Sequence, residues 1–186
     1  MSDALPLAGT PEPSDGMLAA RAARGEEQAF RSLVDRYGGD CARYATRILG
    51  HRQDAEDAIQ EAWWRAYRAL PRYREREVFK RWLFRILVNV CRTMLKRRGQ
   101  LRQRFVHDDD LMARAADASG GVSHAPTLDQ LLHGLDARSR EALLLKFGED
   151  LAYVDMAGLT GDSVPALKMR VKRALEALRP ALRLGP

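Results

Sequence analysis

The sequence predicts an all-α chain built as two small helical domains joined by a flexible linker. Three observations carry that expectation. Apolar residues recur at three- and four-residue spacing from Met17 to about Arg98, and again from Leu128 to about Leu182. No stretch alternates apolar and polar residues as a half-buried strand would. Between the periodic stretches, residues 99–127 hold Asp108-Asp109-Asp110, Ala118-Ser119-Gly120-Gly121 and Ala125-Pro126 without a sustained apolar stripe. That is longer than a compact domain holds as structureless chain, so it separates domains spanning 17–98 and 128–186. Residues 1–16, rich in Pro, Gly, Ser and Asp, read as a disordered tail. Turn signals at Arg24-Gly25, Gly38-Gly39, Leu49-Gly50 and Leu70-Pro71 subdivide the first domain.

Composition narrows the function classes. In 186 residues, 46% are apolar and 30% charged, enough apolar surface for a packed core. No apolar run approaches the roughly 18 residues of a membrane span, and no basic stretch leads into an apolar one near Met1. A cytoplasmic protein without membrane insertion is expected. Cys41 and Cys91 are the only cysteines, too few for a disulfide framework or a four-cysteine zinc site. His51, His107, His124 and His133 lack metal-ligand spacing, and neither a phosphate-cradling glycine loop nor a nucleophile motif is present. No enzymatic role and no cofactor are expected.

The net charge of +6 suggests a polyanionic partner, and its distribution says more. Basic residues crowd the stretch from Arg68 to Arg104, opposed only by Glu75 and Glu77. Just upstream, Asp54, Glu56, Asp57 and Glu61 form an acidic cluster, and Lys168, Arg170, Lys172, Arg173, Arg179 and Arg183 form a second basic group. Two basic surfaces and one acidic surface suit a chain that binds nucleic acid at two places and a protein at a third.

Each helix sharpens that assignment. On a helical wheel of Val78–Arg98, Phe79, Leu83, Ile86, Val90 and Met94 share a face that must be buried. Arg81, Arg85, Asn89, Arg92 and Lys96 share the opposite face, where they can track phosphates and hydrogen-bond bases; a plain solvated face is the alternative. Trp82 lies at the edge between the faces, where core packing and base stacking are both open. In Asp54–Leu70, Ile59, Ala62, Trp63, Ala66 and Leu70 form the buried stripe. Asp57, Gln60, Glu61, Trp64 and Arg68 form a second stripe, an aromatic ring among charges, as at protein-binding surfaces. Carboxylates in the first turns also suit the helix dipole.

Beyond Asp136, Leu143 to Leu145 belong to one helix and Leu151–Leu159 to a shorter one. Gly161 supplies a turn, Ser163 caps a long helix, and Pro165 falls in its first turn, where the missing N–H costs nothing. Val164, Leu167, Val171, Leu175 and Leu178 form its inner stripe. Ala166, Met169, Arg170 and Arg173 point outward, flanked by Lys168 and Lys172. This is the pattern of a helix-turn-helix, or of an αα-hairpin that binds nothing.

Together these residues resemble a family. Asp54-Ala55-Glu56-Asp57-Ala58-Ile59-Gln60-Glu61, then Trp63, Arg65 and Ala66, is similar to the core-polymerase-binding helix of extracytoplasmic-function sigma factors, in the second conserved region of the sigma-70 family. Phe79-Lys80-Arg81-Trp82-Leu83-Phe84-Arg85-Ile86, Asn89 and Lys96-Arg97-Arg98 resemble the adjoining promoter-melting and −10-recognition helix. Arg140-Glu141-Ala142-Leu143-Leu144-Leu145, Tyr153, Ala157, Gly161, Ser163 and Lys168-Met169-Arg170 resemble the fourth region, which reads the −35 element.

The resemblance implies partners and residue roles. Asp57, Gln60, Glu61 and Trp64 would meet core RNA polymerase, the first three at the coiled coil of its largest subunit. Tyr73, Arg81, Trp82, Arg85, Asn89, Arg92, Lys96 and Arg97 would bind the −10 element, with the Arg72–Val78 loop holding a flipped base. Ser163, Ala166, Lys168, Met169, Arg170 and Arg173 would bind the −35 element. Promoter DNA and core polymerase are the implied partners, with an anti-sigma factor as a further one. Asp108–Asp110 would fit either a nucleic-acid mimic or a solvated linker. Three residues depart from the pattern: Thr93 where Asp is common, Ala152 in place of a capping Ser or Thr, and Asp162 where an aliphatic residue packs inward. The last two are expected to weaken the C-terminal domain by about 1 kcal/mol each. The rival assignment is a helix-turn-helix regulator acting without polymerase, which leaves the stripes on Asp57–Glu61 and Arg81–Lys96 without a role.

Overall fold

The computed structural model describes residues 12–74, 78–105 and 127–182, and among these every regular element is helical. The elements are α1 (Asp15–Ala23), α2 (Glu27–Leu49), α3 (Arg52–Ala69), α4 (Phe79–Phe105), α5 (Leu128–His133), α6 (Ala137–Leu143), α7 (Tyr153–Thr160) and α8 (Val164–Leu182). A 3₁₀ turn at Leu70–Arg72 ends α3, and a π-type turn at Leu144–Gly148 ends α6. Helices α1 to α4 pack into one body and α6 to α8 into another. The Asp108–Asp110 run lies outside the described residues, as does most of the stretch read as linker.

Helix starts and stops follow local chemistry. Ser14 Oγ accepts from the Met17 amide, and Asp15 accepts hydrogen bonds from Arg36 and Tyr37. Helix therefore begins inside residues 12–16, which were expected to belong to the tail. Gly25 (φ 90°) and Gly50 (φ 76°) adopt left-handed backbone at the α1–α2 and α2–α3 junctions, as their turn signals suggested. Gly38-Gly39 makes no turn; α2 runs through it. Leu33, Cys41, Tyr44, Ala45 and Ile48 keep one continuous buried stripe, and packing that stripe outweighs the poor helix propensity of two glycines. Helix α4 likewise continues past the boundary expected at residue 98, to Phe105.

Helix α4 buries more than the single stripe expected. Phe79, Leu83 and Val90 are buried as anticipated, while Ile86 and Met94 are only partly covered. Phe84, Leu87, Val88 and Cys91 are buried too, because α4 packs against α2 and α3 and also against α7. The two bodies therefore dock, and one apolar cluster runs from Leu18 of α1 to Leu178 of α8. In α8, Leu167, Val171 and Leu178 face inward as expected, but Ala174 takes the inner place assigned to Leu175, which is exposed.

Open space around Gly38 makes its cost measurable. No atom lies within 4 Å of a Cβ built there. Gly38→Ala is expected to raise stability by about 0.5–1 kcal/mol, read as a higher denaturation midpoint at unchanged slope.

Candidate nucleic-acid and polymerase interfaces

The outer face of α3 is arranged as the sequence suggested. Asp57 and Gln60 are exposed, Glu61 is partly covered, and Glu61 Oε1 accepts from Arg65 Nε at 2.6 Å. Trp64 is 54% exposed, with the Arg68 guanidinium 4.6 Å from its ring centroid. Tyr67, also exposed, meets Phe30 edge-on at 5.0 Å, and Phe30 meets the buried Trp63 at 5.7 Å. An exposed aromatic pair rimmed by carboxylates, standing on a rigid aromatic base, is suited to anchoring a protein partner.

Where α3 meets α4 there is a cleft of about 560 Å³ lined by Arg72, Tyr73, Trp82, Arg85, Ile86 and Asn89, among others. Phe79, 1% exposed, anchors its wall. The rings of Tyr73 and Trp82 lie 5.0 Å apart, and each lies within 5.6 Å of Phe79. Trp82 packs against the core cluster and also lines the cleft. Aromatic walls with an arginine and an amide on the rim suit a planar base. Residues 75–77 of the adjoining loop lie outside the described residues. Lys96 and Arg97 are exposed further along α4, and Thr93 Oγ1 donates to Asn89 O at 2.8 Å.

Two members of the α4 stripe point elsewhere. Arg81 is ion-paired with Asp155 of α7. Arg92 makes a bidentate pair with Glu141 of α6, at 2.7 and 2.6 Å, and also donates to Thr160 O. The opposite face expected to be open is therefore partly covered by the C-terminal body.

The outer face of α8 is also not uniform. Ser163 Oγ caps the helix, accepting from Ala166 N at 3.3 Å, and Met169, Lys168 and Arg173 are exposed. The Lys168 and Lys146 ammonium groups lie 5.8 and 5.6 Å from the Tyr153 ring centroid. Arg170 was expected to point outward. Its side chain is 20% exposed and turns back, with Nη1 2.6 Å from Asp162 Oδ2. Asp162, expected to weaken its turn, is held instead by this pair, and its amide donates to Thr160 Oγ1 at 3.2 Å. Ala152 leaves α7 without a side-chain cap, as expected.

Several interface residues escaped the sequence reading. Arg140 donates to Leu132 O, His133 O, Leu135 O and Ile48 O, stapling the turn before α6 onto the C-terminal end of α2. Burial pushes its pKa down, against the opposing charge of Asp136. Lys80 Nζ lies 2.8 Å from Asp40 and 2.9 Å from Glu149, the latter an ion pair rather than an aligned hydrogen bond. Burial raises the Glu149 pKa despite Lys80, whereas the hydrogen bond from Lys80 lowers that of Asp40. One signal for Glu141 was available: a carboxylate directly ahead of Ala142-Leu143-Leu144-Leu145, in a helix that must bury those residues, needs a cation.

Comparison with known proteins decides what this architecture is. Residues 33–100 match the model of sigma-70 region 2, and residues 127–178 match that of sigma-70 region 4. The RNA polymerase sigma-H factor of Pseudomonas aeruginosa is 32% identical over 185 residues, covering 90% of this chain and 93% of that protein. The chain belongs to the extracytoplasmic-function sigma factors of the sigma-70 family. The sigma-E factor of Escherichia coli is 28% identical, covering 89% of this sigma factor and 92% of its own length. Among solved structures, CnrH in complex with the cytosolic domain of CnrY is 28% identical with a TM-score of 0.67, covering 92% of this chain and 98% of CnrH. RpoE of Bartonella quintana, solved with the anti-sigma factor NepR, shares the fold at 24% identity and a TM-score of 0.69, covering 84% and 98% of the two chains. This sigma factor is thus a DNA-binding initiation factor for RNA polymerase. Among its described residues no helix is long and apolar enough to cross a membrane.

Proposed function

We propose that this sigma factor docks on core polymerase through Asp57, Gln60, Glu61 and Trp64, reads the −35 element with α8, and captures the opened −10 element along α4. The observation that carries this is the cleft of Tyr73, Trp82, Arg85 and Asn89, which joins an aromatic wall to the basic stripe of one helix. In a duplex the base edges and faces are already paired and stacked, so the cleft gains most from a base outside the helix. Extrusion costs a few kcal/mol, and stacking on Trp82 and Tyr73 with hydrogen bonds from Arg85 and Asn89 offsets it. Lys96 and Arg97 then steady the neighbouring phosphates.

On α8, Met169 and Arg173 are placed to enter a major groove, while Lys168 suits phosphate contact. Arg170 reaches a base only after leaving Asp162. The factor acts in the cytoplasm, where polymerase performs the chemistry. An anti-sigma protein is the third partner, supported by the likeness to CnrH, which was solved with the cytosolic domain of CnrY. A regulator acting without polymerase is disfavoured, because the region 2 match covers the very stripes it leaves idle.

Reversing Asp57 and Glu61 to Lys should abolish co-purification with core polymerase while circular dichroism stays helical; undiminished binding would refute the docking face. Alanine at Arg85 and Asn89 should leave closed-complex formation nearly intact but reduce permanganate-detected opening. A pre-melted bubble template should restore much of the lost transcription. Equal failure on duplex and bubble templates would place α4 in initial docking instead.

A further inference from the structure

Among the described residues, three cations of α4 form ion pairs with acids of the C-terminal half. Lys80 meets Glu149, Arg81 meets Asp155, and Arg92 meets Glu141 with Asp162 at 3.7 Å. The exposed cations of α8, Lys168, Lys172 and Arg173, lie on other faces. The arrangement is sorted by charge, and it converges on Arg92.

That guanidinium meets two carboxylates and the last carbonyl of α7, Thr160 O, at the negative end of the helix dipole. Glu141 is 5% exposed and has no other ion-pair partner among the described residues. Asp162 faces two ways, 2.6 Å from Arg170 Nη1 and 3.7 Å from Arg92 Nη2. A planar pair of anionic oxygens opposite a guanidinium is the geometry of an arginine–phosphate contact.

We propose that Glu141 and Asp162 form an intramolecular latch, closing the free chain over Arg92 of α4 and Arg170 of α8 until DNA phosphates displace the carboxylates. The inference rests on assigning α4 and α8 as DNA-facing. Phosphates that take Arg92 leave Glu141 and Asp162 without their cation on α4, which favours withdrawal of the C-terminal body from that helix.

The test measures a distance in the full-length chain. Cys41 and Cys91 are each 1% exposed, and burial pushes both thiols up to about 12, so cysteines introduced by Gln28→Cys on α2 and Ala177→Cys on α8 take nitroxide labels selectively. Double electron–electron resonance should give one narrow distance for the otherwise native chain. Glu141→Gln with Asp162→Asn should raise the open-to-closed ratio on the order of tenfold or more, seen as a broad, longer distribution at unchanged helicity. Asp162→Asn alone should give an intermediate shift, and carries the test if the buried substitution lowers helicity. A saturating short mixed-sequence duplex should open the native latch.

A broad distribution in the native chain, or a narrow one retained by the carboxamide variants, would overturn the latch. If the variants open but duplex bound by anisotropy leaves the native chain closed, the carboxylates hold the bodies without shielding a DNA face. The competition fails in that case, while the α4 assignment stands or falls on bubble-template transcription by the Arg85 and Asn89 variants.

Discussion

The contact between Arg92 and Glu141 sets the terms for the rest of the molecule. Helix α4 supplies the floor of the N-terminal body through Phe79, Leu83 and Val90, and it is also the surface on which the C-terminal body rests. A helix used on so much of its circumference has only a narrow strip left for ligands. Cations on that strip cannot be covered without a counter-charge, since an unpaired buried guanidinium costs several kcal/mol. The closed arrangement meets the requirement with carboxylates, and promoter DNA would meet it with phosphates. With α4 facing DNA as proposed, the two solutions exclude each other at Arg92, and docking of the two bodies and DNA capture would compete for one side chain.

Much of the framework was legible from spacing alone. Two periodic stretches, the left-handed glycines at 25, 50 and 161, and the cap at Ser163 all fall where local chemistry places them. The failures share a cause. Gly38-Gly39 looks like a turn because propensity is local, while the stripe from Leu33 to Ile48 that overrides it extends over four turns of helix. Helix α4 looked one-sided because a wheel shows the faces of one helix and not the number of its neighbours.

The functional face was legible in part for the same reason. The Asp57–Trp64 stripe needs no tertiary information, since α3 presents it directly to solvent. Arg81, Arg92 and Arg170 were placed on outer faces by angle, but angle does not reveal a carboxylate arriving from another element. Asp162 is the clearest case. Judged within its own turn it is a lost apolar contact; judged with Arg170 and Arg92 it is the junction of two cationic surfaces. Trp82 shows the converse, because its position between faces matched a ring shared by core and cleft.

The central claim is that core polymerase engages the α3 face. Amide hydrogen exchange on the full-length factor, alone and saturated with core polymerase, tests it directly. The account predicts slower exchange across residues 57–68 on binding. Unchanged exchange at 57–68, or slowing confined to the C-terminal body, would contradict it.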